Sequence, residues 1–386
     1  MTTTIDNEHK IFNVPNLRFP EFEGEWEEER LSDIADTSKG IGISKDQLSA
    51  DGEPCILYGE LYTKYKSETI KEVISKTNID NTKLVKSKAN DVIIPCSGET
   101  AEEIATARCV LKDDVLLGGD LNIIRLHGYD GSFMSYQLNG KRKYDIAKVA
   151  QGVSVVHLYG EHLKNIKTIN PSLNEQKKIA NLLSLLDERI STQNKIIEDL
   201  KKLKCAIAER LFNATDGDSV PLTEVCTILK GKQINGEFLS EKGKYYVMNG
   251  GTEPSGYYDK SNAPADTISI SEGGNSCGYI QYNREAFWSG GHCYTLNNIT
   301  PNVCKLYLYH NLKSQESSIM KLRIGTGLPN IQKKDLEKFC ILLPSKAKQE
   351  SISTFLTAIE SKIANEEMLR NYFQEEKLYL LRQMFI

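Results

Sequence analysis

Apolar residues recur along two long stretches of the chain at alternating steps of three and four. Within residues 172–212 they are Ile179, Leu183, Leu186, Ile190, Ile197, Leu200, Ile207 and Leu211; within 345–385 they are Ile352, Leu356, Ile359, Ile363, Phe373, Leu380 and Met384. That spacing predicts two helices, each with an apolar seam along one face. Polar residues break both seams, at Gln193 and Lys204 in the first and at Glu366 and Lys377 in the second. Pro171 and Pro344 stand just ahead of the two starts. Ser172 with Glu175 predicts a capping box, which the second copy, with Lys348 in place of the acid, lacks. At 1.5 Å per residue each helix is a rod of roughly 60 Å.

The rods belong to a larger duplication. Residues 149–212 align without a gap to residues 322–385, and one constant step carries Gly152 to Gly325, Leu163 to Leu336, Pro171 to Pro344, Gln176 to Gln349 and Phe212 to Phe385. Ahead of each rod, the runs VIIPCSGET (92–100) and TISISEGG (267–274) have strand-then-turn character, each preceded by an Asp, Asp91 and Asp266. GGDLNIIRL (118–126) and GGHCYTLNN (290–298) both enter a strand through a Gly pair, which suits positive φ. RLSDIADTSKG (30–40) corresponds to PLTEVCTILKG (221–231), whereas the segments between these landmarks have only a loose counterpart. A common frame carrying two different contact surfaces follows. The expected architecture is α+β: two pseudo-repeated α/β heads separated by two long antiparallel coiled-coil-like helices. Its boundaries are an arm at 1–22, a first head at 23–171, a rod at 172–215, a second head at 216–344 and a second rod at 345–386.

A length of 386 residues with 40% hydrophobic and 26% charged positions suits two soluble domains. No apolar run reaches the roughly 18 residues of a membrane span and the first ten residues lack a signal core, so a cytoplasmic protein with no membrane partner is expected. The nine cysteines stand singly, without a CxxC pair, as reduced thiols would; no metal site is expected. A net charge of −4 argues against a protein that holds nucleic acid alone on one basic face, but leaves room for local basic patches.

Catalytic signatures are missing. The Gly-rich GGNSCG (273–278) is not followed by Lys-Ser or Lys-Thr and reads as a turn rather than a phosphate loop. His157 with His162, and His292 beside Cys293, lack a ligand spacing. DLEK (335–338) reads as a helix start, and Asn170-Pro171 is followed by Ser-Leu instead of the Pro-aromatic pair of adenine methyltransferases. Candidate contact residues lie in loops where basic, amide and aromatic groups interleave. In the first head they are Lys39, Tyr58, Lys64, Tyr65 and Lys66, with Ser97, Gly98 and Thr100 in a turn and Gln151 in the returning loop. In the second they are Lys230, Lys232, Gln233, Asn249, Tyr257, Tyr258 and Lys260, with Asn275 in a turn and Thr326 and Asn330 in the returning loop. Lys and Arg suit guanine and phosphate, and Asn and Gln suit adenine.

Taken in order, NLRFPEFEGEWEE (16–28), QGVSVVHLYGEHL (151–163), PSLNEQKKIANLLSLLDERI (171–190), GTGLPNIQKKDL (325–336) and PSKAKQESISTFLTAIESKI (344–363) resemble the specificity subunits of type I restriction-modification enzymes. The resemblance covers nearly the whole chain; QGVSVV departs from the pattern that GTGLPN keeps, and Lys348 departs in the second rod. It implies two target-recognition domains, each reading half of a split, asymmetric sequence in double-stranded DNA. It also implies rods that space these domains and dock two methyltransferase subunits, with nuclease and translocase subunits joining through the complex. Methyl donor, ATP and Mg²⁺ would then belong to the partners, leaving this chain non-catalytic and without a cofactor. The alternative is a helical scaffold whose heads bind proteins or peptides; an enzyme with an unrecognised site is a third reading.

Overall fold

The computed structural model describes residues 13–152, 155–325 and 327–386. It divides into two units, one gathering the chain up to Asn194 together with residues 369–386, the other comprising residues 195–368.

In the first unit a five-stranded sheet runs Ala35–Lys39, Leu121–Leu126, Asp91–Pro95, Arg108–Val110, Thr69–Ile70, and a second sheet of five short strands carries Glu53–Ile56 at its centre. The middle strand Asp91–Pro95 is buried throughout. Asp91 survives there because Arg125 clamps both its oxygens, at 2.8 and 2.6 Å, as a buried carboxylate requires. Helix Gly131–Asn139 packs behind this sheet, with Asp130 capping it through the Phe133 N–H. Glu27–Arg30 pairs antiparallel with Lys167–Asn170 and closes the head at the foot of the rod.

The second unit repeats this plan with fewer strands. Its sheet runs Thr227–Lys230, Cys293–Asn297, Thr267–Ser271, Ile280–Asn283, with a three-stranded sheet beside it. Asp218–Pro221 pairs with Cys340–Leu343 at the foot of the second rod. Although Thr267–Ser271 alternates polar and apolar, both faces are buried. The polar face is tolerated because Thr267 donates to the Pro264 carbonyl, Ser269 accepts from Asn283, and Ser271 donates to the Gly250 carbonyl.

The ladders correct one detail of the alignment. Leu121 faces Pro95 in the first head and Cys293 faces Ser271 in the second, so Asp91 corresponds to Thr267. The residue matched to Asp266 is Asn90, and these two, at φ 55° and 84° respectively, turn the chain into the central strand. The Gly pairs also serve a different purpose from the one expected. Neither has positive φ; a Cβ on Gly40 would lie 2.0 Å from the Gly118 oxygen, and one on Gly231 would lie 2.2 Å from the Gly290 oxygen. Two backbones cross there too closely for any side chain.

The rods are Leu173–Asn213 and Lys346–Gln383, and the seam residues are buried or half-buried along both. Each rod begins in one unit and ends in the other. The first-turn glutamines explain why the duplication holds there. Gln176 accepts the Asp130 N–H at 2.9 Å and donates to the Pro171 carbonyl at 2.8 Å; Gln349 accepts the Cys304 N–H at 2.8 Å and donates to the Pro344 carbonyl at 2.9 Å. Each thus ties the start of its rod to the cap of the helix in its head. The expected capping box is only half made: the Ser172 hydroxyl accepts the Glu175 N–H at 3.4 Å, but the Glu175 carboxylate is held by Arg18 at 2.8 Å on both oxygens. A bidentate guanidinium outcompetes a single backbone donor.

Two of the polar breaks, Lys204 and Lys377, pair with acids related by the same step. In the first unit Asp187 accepts from Tyr136 at 2.7 Å and from Lys377 at 2.6 Å, and Lys377 also reaches Glu68 at 2.6 Å. In the second, Glu360 accepts from Tyr309 at 3.1 Å and pairs with Lys204. Tyr, acid and Lys recur at one constant spacing, with acid and Lys exchanged between the rods, so within each unit the two rods pack antiparallel. Burial works against the Lys377 charge, but Glu68 and Asp187 outweigh it and raise its pKa.

Candidate nucleic-acid interface

In each head the crossing of Gly pairs brings four chain segments to the C-terminal end of the central strand. Gly40 bonds back to the Leu121 carbonyl at 2.9 Å and Gly231 to the Cys293 carbonyl at 2.8 Å, which places Lys39 and Lys230, the residues just before them, at equivalent points. The central strand leaves as Cys96 in one head and Glu272 in the other, bonded through N–H to the carbonyls of Asp120 and His292. The returning loop then pairs on. Ser97 and Gly98 pair with His157 and Val156, and Gly273 bridges Asn330.

The frame is the same and the chemistry differs. On the segments that meet there the first head has Cys96, Asp120, Asn122, His157 and Tyr159, and the second has, at matching positions, Glu272, His292, Tyr294, Asn330 and Gln332. Lys39 lies over the Tyr159 ring, 5.6 Å from its centroid, a cation–π arrangement. Ser97 Oγ and His157 Nδ1 are 3.4 Å apart. Burial pushes the Cys96 thiol up to about 11, with Lys39 pulling the other way, so this thiol is a packed neutral group. In the second head Lys230 Nζ donates to Glu272 Oε1 at 2.5 Å, and the Tyr294 hydroxyl lies between that oxygen, at 3.2 Å, and the Ile331 carbonyl, at 3.1 Å.

The remaining candidates fall into several groups. Tyr58 is 38% exposed and, with Lys64, lines a recess of about 840 Å³ that also contains Gly119 and Asp120. Lys64 bonds Glu60 and Ser75, both at 2.6 Å, and Lys66 bonds the Tyr62 carbonyl. Tyr65 is a core residue: only 6% exposed, it packs with Ile56 and Leu61 and its hydroxyl accepts the Ile74 N–H. An interleaved basic and aromatic run marks a surface only where every side chain points outward, and here a short helix turns the tyrosine inward. Thr100 caps the helix Ala101–Ile104. Gln151 is exposed and bridges His157 through its backbone.

In the second head Lys232, Gln233, Lys260, Asn275 and Asn330 are exposed. The Asn249 side chain accepts the His292 N–H at 3.1 Å. Tyr257 and Tyr258 are half-buried in an edge strand paired with Tyr245–Met248. Thr326 lies outside the described residues. Sequence reasoning did not select Glu272, Asp120, His157, Tyr159 or Gln332; only the ladder register brings them beside the two lysines.

Comparison with known proteins adds a family. The model of the type I restriction modification DNA specificity domain matches residues 23–202 and again 216–372. A putative type I specificity subunit of Mycoplasma genitalium is 36% identical over 138 residues, which is 35% of this chain and 36% of the relative, so that alignment spans about a third of the relative's length. The specificity subunit of a type I restriction enzyme from Methanocaldococcus jannaschii is 24% identical over 413 residues, covering 96% of this chain and 93% of its own. The crystal structure of an M. genitalium type I restriction-modification S subunit superimposes with a TM-score of 0.70 at 20% identity, covering 97% of this chain and 99% of that one, and shares the fold.

Proposed function

Because the chain belongs to the type I restriction modification DNA specificity domain family, we propose that it reads DNA for a type I restriction-modification complex, each head taking one half of a split, asymmetric target. The observation that carries this reading is the paired frame. Two equivalent strand ends keep one lysine each and differ at the five positions around it, as two readers of different half-sites should. The basic and amide side chains beside them, including Lys39, Gln151, Lys232, Gln233, Asn275 and Asn330, supply further donors.

The heads correspond to residues 23–171 and 216–344. The rods set the distance between half-sites, because two readers on one face of a duplex need centres about one turn, roughly 34 Å, apart. Exposed apolar residues on the rods, among them Leu185, Leu203, Phe355, Tyr372 and Tyr379, form the surface that docks two methyltransferase subunits; patches of this kind mark protein interfaces. Nuclease and translocase subunits join through that assembly. The chain itself is non-catalytic, and methylation and cleavage, with their cofactors, reside in the partners, in the cytoplasm. Two matches to a DNA specificity family leave the peptide-binding scaffold without support.

The test is to co-express the chain with the methyltransferase subunit encoded beside it and to sequence host DNA for modified bases. A split methylated motif is expected, and its absence with an active partner rejects the reading. Exchanging residues 217–344 for those of a relative should change one half of the motif only.

A further inference from the structure

The cluster at Lys230 differs from a phosphate contact in one respect. The Lys230 side chain is 52% exposed, but its ammonium rests on the carboxylate of a side chain that is only 11% exposed. Glu272 Oε1 accepts from Lys230 and lies 3.2 Å from the Tyr294 hydroxyl, whose one hydrogen it shares with the Ile331 carbonyl at 3.1 Å, while Oε2 is buried without a hydrogen-bond partner and has His292 Nδ1 3.5 Å away. An acid at this position lowers the attraction for a phosphate, since the pair carries almost no net charge, yet it fixes the direction of the two ammonium hydrogens it does not use. Beside the pair, Glu272 and Tyr294 line a recess of about 340 Å³ together with Asn330, Gln332, Lys333 and Lys334. At the matching point of the first head a buried Cys96 replaces the carboxylate, and Lys39 has a ring beside it instead.

We propose that Lys230 reads a guanine in the half-site of the second head and that Glu272 is its positioning residue. Guanine is the base that offers two acceptors, O6 and N7, in the major groove, and a lysine with two hydrogens free matches that pair. Glu272 holds the lysine in the reading direction before DNA arrives, so less side-chain freedom is lost on binding. The first head lacks this arrangement, so the same lysine of the shared frame has a different task there.

This assignment rests on the DNA-reading function proposed above, and the experiment separates the two. The complex with the methyltransferase subunit is expressed with the wild-type chain, with Lys230→Gln, with Glu272→Gln and with Lys39→Gln, and methylation is measured at every single-base variant of the motif. The readout is the ratio between motif variants within one sample, which does not depend on how much complex folds. Lys230→Gln should reduce the preference for guanine at one position of the second half-site by roughly 5- to 100-fold and raise adenine there, because glutamine pairs with adenine. Glu272→Gln should weaken the same preference to a smaller extent. Lys39→Gln should leave that position unchanged. A uniform fall in methylation for Lys230→Gln, with every base ratio kept, would mark a phosphate contact and overturn the proposal; an unaltered motif would do the same. A wild-type complex that methylates no split motif removes the parent reading and this one together, whereas a wild-type motif with unchanged ratios in Lys230→Gln removes this one alone.

Discussion

The ring of Phe385 stacks on that of Phe133, with centroids 5.1 Å apart and planes at 26°, and Trp26 meets both edge-on. At the equivalent point of the other unit Phe212 meets Tyr307 at 5.7 Å. Each rod therefore ends by placing an aromatic against the helix of a head it did not start from. Phe385 is 3% exposed, so Phe385→Ala should cost about 3–5 kcal/mol. The loss should fall on the first unit. Unfolding followed by Trp26 fluorescence in a Trp288→Phe background should shift, while Trp288 in a Trp26→Phe background should shift far less.

The Lys377 triad sets a second expectation. Lys377 sits between Glu68 and Asp187, with side-chain exposures of 14%, 13% and 9%. Lys377→Met leaves two half-desolvated carboxylates facing each other and should destabilise the protein by on the order of 3 kcal/mol. Adding Asp187→Asn should recover part of this, and a double-mutant cycle by chemical denaturation measures how much. Strict additivity would mean that the ion pair contributes nothing.

The Gly crossings allow a sharp comparison. Gly40→Ala and Gly231→Ala each drive a methyl group into a carbonyl at 2.0 and 2.2 Å, and each should cost about 3 kcal/mol, the upper range for overpacking. Gly236→Ala, with nothing within 4 Å, should stay within about 0.5 kcal/mol of wild type. Thermal melting of the three variants checks this.

His310 predicts an acid limb. It is 2% exposed, donates to or accepts from Thr357 at 3.0 Å, and burial lowers its pKa from 6.5 to about 4, with Glu360 opposing and Lys204 assisting. Because the folded pKa lies below the unfolded one, this histidine's contribution to stability is complete above pH 6.5 and is lost as the pH falls toward 4; a shift of this size corresponds to about 3 kcal/mol. Denaturant midpoints measured from pH 7 to pH 4 should therefore fall less steeply for His310→Asn than for wild type.

The rods, the duplicated frame and the positions of the Gly pairs were legible in the sequence because each depends on local spacing or on residue type. The reason for the Gly pairs was not: positive φ and close approach select the same residue, and only the partner strand distinguishes them. Lys377 appeared only as a break in a seam, and Asp187, 190 residues away, was not singled out, because their pairing needs the antiparallel packing of the rods. Tyr65 was misjudged because the turn that follows the helix Glu60–Thr63 buries it, and Glu272 was passed over for a related reason. Whether a side chain points into a core or toward a groove depends on strand register, and the two central strands are offset by one residue from where unaided alignment puts them.

One consequence concerns the order in which the protein is made. The second unit is a single continuous run, residues 195–368, whereas the first needs residues 369–386 to cover Trp26, Phe133 and Ile179. On the ribosome, then, the head synthesised first is the one completed last. It has to wait with part of its core uncovered for the roughly ten to forty seconds in which some 190 further residues are added, a period in which a chaperone that shields apolar surface has the most to do.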